Sequence, residues 1–177
     1  MKILIIGHAR HGKDTVAEFL RDDFGFTFKS SSEAAAEIFL YDQLKDKYGY
    51  ESFTECYEDR MNHRQEWYEA IVEFTKEDRT ALATEIMKSN DIYVGMRDDE
   101  EIQACVANGV FDLILGVYCP WAPEEDKTSF NIDLWKESDL VIPNAGTLED
   151  LRRKVKTVAN HLWMGLDNPL RIEHLNK

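Results

Sequence analysis

The stretch Lys2-Ile3-Leu4-Ile5-Ile6-Gly7-His8-Ala9-Arg10-His11-Gly12-Lys13-Asp14-Thr15 constrains this chain more than any other. Lys2 to Ile6 is a compact aliphatic run, which predicts a buried strand. Lys13 to Phe24 carries Val16, Phe19 and Leu20 at helical spacing. Between them, Gly7 and Gly12 enclose four residues and Lys13 follows at once. A strand, a glycine-bounded loop and a helix in that order wrap a phosphate with inward-pointing backbone N–H groups. The glycines permit the unusual dihedrals, and the helix N-terminus adds partial positive charge. Lys13 can then reach the β- and γ-phosphates as a mobile point charge. The expected triphosphate contacts are therefore Gly7, His8, Ala9, Arg10, His11, Gly12, Lys13, Asp14 and Thr15. The plainer reading is a tight strand–helix turn with an incidental lysine. His8 and His11 are read two ways, as donors to phosphate or as solvent-facing loop side chains.

The residue after the lysine departs from the usual pattern. Ser or Thr ordinarily stands there and binds Mg²⁺ through its hydroxyl; here it is Asp14, with Thr15 next. A carboxylate is also a hard oxygen ligand, so Asp14 and Thr15 are the candidate Mg²⁺ residues. Otherwise Asp14 is simply an acid favoured by the dipole in a first helical turn.

The rest of the 177-residue chain alternates short apolar runs with longer helical stretches. Further strands are expected at Asp91 to Val94, Asp112 to Val117 and Leu140 to Ile142. Helices are expected from Ser32 as cap to about Lys47 with Gly49 as stop, from Thr54 towards Phe74, and from Asp78 through Leu82, Ile86 and Met87. Two more run from Asp98 to Asn108, with Gly109 as stop, and from Thr147 through Leu151, Val155, Val158 and Leu162. Gly165 onward has no clear reading and is expected to be partly mobile. Strands separated by helices predict an α/β fold, a parallel sheet of about five strands with helices on both faces. Ligand-binding loops then lie at the carboxyl ends of the strands. One domain, 1–177, is expected, with a helical insertion at about 31–90 and a lid at about 119–136.

The net charge of −13 disfavours nucleic acid, whose phosphates need Lys and Arg, yet leaves room for a focused basic pocket. No apolar run is long enough for a membrane span, and the expected location is the cytoplasm. Cys56, Cys105 and Cys119 fit neither a disulfide framework nor paired metal ligands and read as small buried residues. Tyr48, Tyr50 and Trp163 suit either the core or an interface, so a homodimer stays open.

In a helical reading, Arg60, His63, Arg64 and Trp67 fall at spacings 0, 3, 4 and 7, on one face. Two arginines one turn apart can grip a phosphate, and Trp67 or Tyr57 can stack on a base. With Arg97, which ends a strand on the ligand side, this makes a candidate acceptor site. The alternative is a solvated face paired with Glu58, Asp59 or Glu66, with Trp67 in the core. Ser30 to Ser32 can touch a substrate or cap a helix.

Gly12-Lys13-Asp14-Thr15 with Ala17 and Phe19 resembles the bacteriophage deoxynucleoside monophosphate kinases. Met96-Arg97-Asp98-Asp99-Glu100 is similar to that family's strand-ending arginine and acidic helix start. Ser138 to Leu151, with Asn144-Ala145-Gly146, is similar to its last strand, Asn-x-Gly turn and final helix. The resemblance covers about half the chain and implies a three-layer P-loop kinase fold. It implies transfer of the ATP γ-phosphate to a deoxynucleoside monophosphate with Mg²⁺, in the host cytoplasm for a phage protein. It also implies adenine contact by Asn144, Gly146 and Thr147. Lys13, Arg97 and Arg10 are then the catalytic candidates, and Arg60, His63, Arg64, Trp67, Arg97 and Asp98 the substrate-binding ones. The family often has an aspartate where this chain has Gly95, leaving Asp14, Asp98 and Asp99 to cover its duty. Its lid arginines are absent between Cys119 and Lys136, where Lys127 and Lys136 are the only basic residues; Arg10 is the substitute. Two other readings stand beside this one. In the first, the acceptor is a hydroxyl of a modified base or DNA, with Asp98 or Glu55 as proton acceptor. In the second, the chain is a non-catalytic nucleotide-binding module.

Overall fold

The architecture, a computed structural model, describes residues 1–127 and 129–166, with 163–166 described through their backbone. β1 (Ile3–Ile6), β2 (Phe28–Ser30), β3 (Ile92–Val94), β4 (Leu113–Tyr118) and β5 (Leu140–Pro143) form one sheet in the order β2-β3-β1-β4-β5. Every pairing is parallel. Central β1 pairs Ile3 with Ile92 on one side and with Leu113 on the other. All four of its side chains are buried, because helices cover both faces of the sheet.

The period of two along β1 splits the core. Ile3 and Ile5 pack with Val16 and Leu20 of α1 (Lys13–Phe24) and with Leu151 and Val155 of α9 (Leu148–Leu166). Leu4 and Ile6 pack on the opposite face with Leu82 and Ile86 of α6 (Ala81–Ile86) and Ile102 and Cys105 of α7 (Asp99–Ala107). Each such full burial is worth roughly 1.5–3 kcal/mol, so β1 is the strand least able to shift. The result is the three-layer α/β sandwich expected from the alternation of strands and helices.

A third cluster holds the helical middle of the chain. α2 (Ser31–Ala35), a π-helical turn (Ala36–Leu40) and α3 (Tyr41–Tyr48) pack against α4 (Phe53–Asp59) and α5 (Arg64–Phe74) through Ala36, Leu40, Leu44, Cys56 and Trp67. Helix starts differ from expectation by about two residues. Ser30, not Ser32, accepts the Glu33 N–H, and Ser52, not Thr54, accepts the Glu55 N–H. Both are Ser-x-x-Glu starts, and the adjoining hydroxyls offered the wrong phase. Asp78 accepts the Thr80 N–H at 2.8 Å just ahead of α6. Asp98 caps α7, and Gly49 closes α3 at φ 73°. Thr147 and Asp150 cap α9 reciprocally.

β2 was not identified in the sequence: Phe28-Lys29-Ser30 is a short, half-buried edge strand without an apolar run. α8 (Leu134–Glu137) is also new, started by the Asp133 carboxylate. All three cysteines are free; burial raises the Cys56 thiol pKa and pushes Cys105 up to about 12, so neither is a reactive thiolate. Among the described residues no helix is long and apolar enough to cross a membrane. The expectation for the tail, and the side chain of Trp163, lie outside what is described, apart from the helical backbone to Leu166.

Candidate phosphate-transfer site

The glycine-bounded loop runs from the carboxyl end of β1 into α1. Gly12 caps the helix at φ 100°, and a Cβ there would lie 2.6 Å from Asn144 Nδ2. Both facts require glycine. Asn144 Nδ2 donates to the His11 carbonyl at 3.1 Å, so the turn after β5 clamps the loop rather than presenting this amide to a base. Gly12→Ala therefore strains the dihedral and displaces the clamp together. It is expected to cost about 1–3 kcal/mol, read as a lower unfolding midpoint in urea.

The two loop histidines face inward. His11 is fully buried; its Nδ1 accepts from the Cys119 N–H at 3.2 Å and its ring meets Tyr118 edge-on. It ties the loop to the end of β4, and its backbone N–H donates within the loop to the His8 carbonyl at 3.3 Å, so the ring serves the loop and not a phosphate. His8 Nδ1 accepts from the Glu125 N–H at 3.0 Å, and its ring packs on Phe130. Burial and the neighbouring His11 lower the His8 pKa despite nearby Glu124 and Glu125, which keeps it a neutral acceptor. Arg10 is exposed, with φ 65°.

Lys13 is 7% exposed and donates to the His8 carbonyl at 3.2 Å. Burial lowers its pKa, against the raising effect of Asp14. Asp14 is exposed in the first turn and Thr15 half-buried. Among the described residues no cluster of three His, Cys, Asp or Glu could hold a metal alone. One carboxylate and one hydroxyl suit Mg²⁺, which takes its other ligands from phosphate and water.

Glu125 was missed in the sequence. It lies in the loop between β4 and α8, where Pro and acidic residues announce only a loop. Its Oε2 accepts the Ala9 N–H at 2.6 Å. Its Oε1 accepts from Arg97 Nη1 at 2.6 Å and lies 3.8 Å from Arg64 Nη2. Burial raises its pKa, but the Arg97 hydrogen bond and charge, the Ala9 N–H and Lys13 outweigh it, so the net shift is downward. Phe130 and Ile132, buried in the core, anchor the far end of this loop, and Asn131 accepts from the Asp99 N–H at 2.7 Å.

The stripe Arg60, His63, Arg64 and Trp67 does not share one helix face. α4 ends at Asp59, and a turn intervenes before α5 starts at Arg64. Arg60 donates to the Tyr57 carbonyl at 2.7 Å and lies over the Tyr57 ring. His63 is hydrogen-bonded to Asp59 at 2.9 Å and packs on Tyr48. Trp67 is 5% exposed, in the third cluster, and offers no face to a base. Arg64 is the member that reaches the phosphate loop, through Glu125. Asp98 spends its carboxylate on the α7 cap, at 3.1 Å from the Glu101 N–H. Thr147 donates its hydroxyl to Asp150 at 2.9 Å, so it and Gly146 can offer a base only their backbone. Beside them, Trp121 is 80% exposed, with its indole N–H 3.5 Å from the Ala145 carbonyl. Gly95 stands at φ 101°, where an added Cβ would lie 3.3 Å from Ser31 Oγ, and its carbonyl accepts from that hydroxyl.

No family model and no curated protein matches the sequence. Solved structures do match. Dephospho-CoA kinase from Campylobacter jejuni aligns over 90% of this chain and 96% of its own, at 13% identity and a TM-score of 0.51. The fold is that of the P-loop kinases. Shikimate kinase from Aquifex aeolicus aligns over 93% of this chain and 99% of its own at 13% identity, with a TM-score of 0.47. A gluconokinase from Sinorhizobium meliloti aligns over 92% and 95%, at 10% identity and a TM-score of 0.45. At these identities the likeness concerns the fold, not the substrate.

Proposed function

We propose that this chain is an ATP-dependent kinase that moves the γ-phosphate to a deoxynucleoside monophosphate, giving the diphosphate. One observation carries the reading: Arg97 and Arg64 converge with the Ala9 N–H of the phosphate loop on a single carboxylate, Glu125. An anion position thus abuts the triphosphate loop and is served by two guanidiniums, the group best shaped for phosphate. The fold neighbour is itself a kinase, which supports the reaction class.

The roles follow from placement. Loop N–H groups and Lys13 hold the donor phosphates and neutralise the charge left on ADP as the bridging P–O bond breaks. Arg97 and Arg64 hold the acceptor phosphate, and Arg10, exposed in the loop, is free to approach the transferring group. Asp14 and Thr15 would hold Mg²⁺, which supplies charge neutralisation between the phosphates. The backbone turn Asn144 to Thr147, flanked by Trp121, would receive the donor base. A phosphate acceptor is already ionised and needs no strong base.

A second reading is favoured by Glu125 itself. A carboxylate at the junction of the two positions can take a proton from a hydroxyl acceptor on a modified base or on DNA. It is better placed than Asp98, which caps α7, or Glu55, which accepts from the Glu51 N–H. Purified protein with Mg-ATP and a panel of deoxynucleoside monophosphates, nucleosides and modified DNA separates the readings. ADP release that requires a free monophosphate is expected. Release only with hydroxyl-bearing nucleosides or DNA supports the second reading, and ATP binding without turnover sinks both.

A further inference from the structure

We infer that Glu125 is an internal phosphate surrogate, a latch that closes the transfer site until a substrate phosphoryl group displaces it; this rests on the nucleotide reading above. The reason lies in what surrounds the carboxylate. Both oxygens are engaged, Oε2 by the Ala9 N–H and Oε1 by Arg97, each at 2.6 Å. Arg64 approaches the same Oε1 at 3.8 Å. A loop N–H and two guanidiniums around one oxyanion form a phosphoryl-binding position, and the chain fills it with its own side chain. The Glu125 side chain is 13% exposed and takes the Ala9 N–H and Arg97 Nη1 for itself, so an incoming anion gains those two donors when it leaves.

The neighbourhood supports a latch over a fixed catalytic base. The Glu125 N–H donates to His8 Nδ1, so backbone and side chain both close on the phosphate loop. Lys13 meanwhile donates to the His8 carbonyl of that same loop. Lys13 and Arg97, two of the cations that would serve phosphate, are thus hydrogen-bonded within the chain. A carboxylate with two charge-assisted partners is a poor proton acceptor, since protonation forfeits them. The loop also has the right anchorage to swing: Phe130 and Ile132 are buried at its far end, whereas Trp121 before Glu125 is largely exposed. The ligand class is a phosphoryl dianion, whose charge exceeds that of the carboxylate and whose oxygens can take all three donors at once.

Competition of this kind lowers apparent affinity by the fraction of molecules in which the site is open. The test is calorimetric titration of the full-length chain with inorganic tripolyphosphate and with ATP, comparing wild type, Glu125→Gln, Glu125→Ala and Glu124→Gln. The Glu125 variants are expected to bind both ligands about 5- to 50-fold more tightly, for a latch closed in most molecules. Glu124→Gln removes the same charge from the next residue and is expected to change affinity less than twofold. Unchanged or weaker binding by the Glu125 variants overturns the latch while the nucleotide reading stands. Equal tightening in Glu124→Gln also overturns it, because bulk charge then explains the gain. Failure of every form, wild type included, to bind either ligand removes the nucleotide reading and the latch with it. Turnover is the second readout: a 10²-fold fall in kcat at unchanged affinity in the Glu125 variants overturns the latch and assigns Glu125 as the general base instead.

Discussion

A Lys13→Ala variant is expected to turn over at least about 10²- to 10³-fold more slowly than wild type while remaining folded. The magnitude follows from where the ammonium sits. It is 7% exposed, at the start of α1, where the helix dipole and loop N–H groups already favour an anion. In such a site the local dielectric is low, and one charge acts on the transferring phosphate far more strongly than a solvated one. Among the described residues, the one hydrogen bond of the Lys13 ammonium is to the His8 carbonyl at 3.2 Å. That bond is easily exchanged for phosphate oxygens. Burial already lowers its pKa, so truncation removes a group that the fold holds at some cost. Stability should hold or rise slightly, which separates a catalytic loss from an unfolding one. The measurement is steady-state ADP production with Mg-ATP and the best acceptor, beside a urea melt of both proteins. Wild-type turnover in the variant would refute the donor role.

What could be read from the sequence was whatever is local. The phosphate loop is contiguous, and its chemistry is set by backbone geometry that Gly7 and Gly12 announce. β1 was readable because four aliphatic residues in a row have few other uses. The Asp98 cap and the Gly49 stop were readable for the same reason, since caps act within one turn. What failed depended on distance along the chain. Glu125 meets Ala9 across 116 residues, and nothing beside it distinguishes it from Glu124. The arginine stripe failed because a turn between Asp59 and Arg64 broke the assumed single helix. Trp67 kept its helical register with Arg64 but turned into the core, as a large aromatic on an amphipathic helix usually does. The Asn144 amide shows a subtler limit. The turn was identified, but its side chain fastens the phosphate loop, a purpose visible only when β5 is placed beside it.

The contribution of Glu101 to stability should fall as pH rises from 5 to 8, and that fall should vanish in Glu101→Gln. Glu101 is 6% exposed on α7, and among the described residues its Oε1 has no hydrogen-bond partner. Burial pushes its pKa up to about 7, helped by the nearby Asp98 charge and opposed by Arg79 and a hydrogen bond from Tyr93. Tyr93 is itself fully buried, and burial raises its pKa, so it stays a neutral donor. An acid whose pKa is higher folded than unfolded holds more protons in the native state. Its contribution is whole below the unfolded value of 4.5 and is lost as pH climbs through about 7. The rise from 4.5 to about 7 corresponds to at most about 3 kcal/mol, because burial of the ionised form invites local relaxation. Glutamine keeps the shape and the Tyr93 acceptor but cannot ionise. The difference in urea-unfolding free energy between wild type and Glu101→Gln, measured at pH 5 and pH 8, cancels every other titrating group common to both. The variant should gain about 1–3 kcal/mol relative to wild type between the two pH values. A difference that does not change with pH would mean that Glu101 is ionised throughout, with its charge met by Arg79.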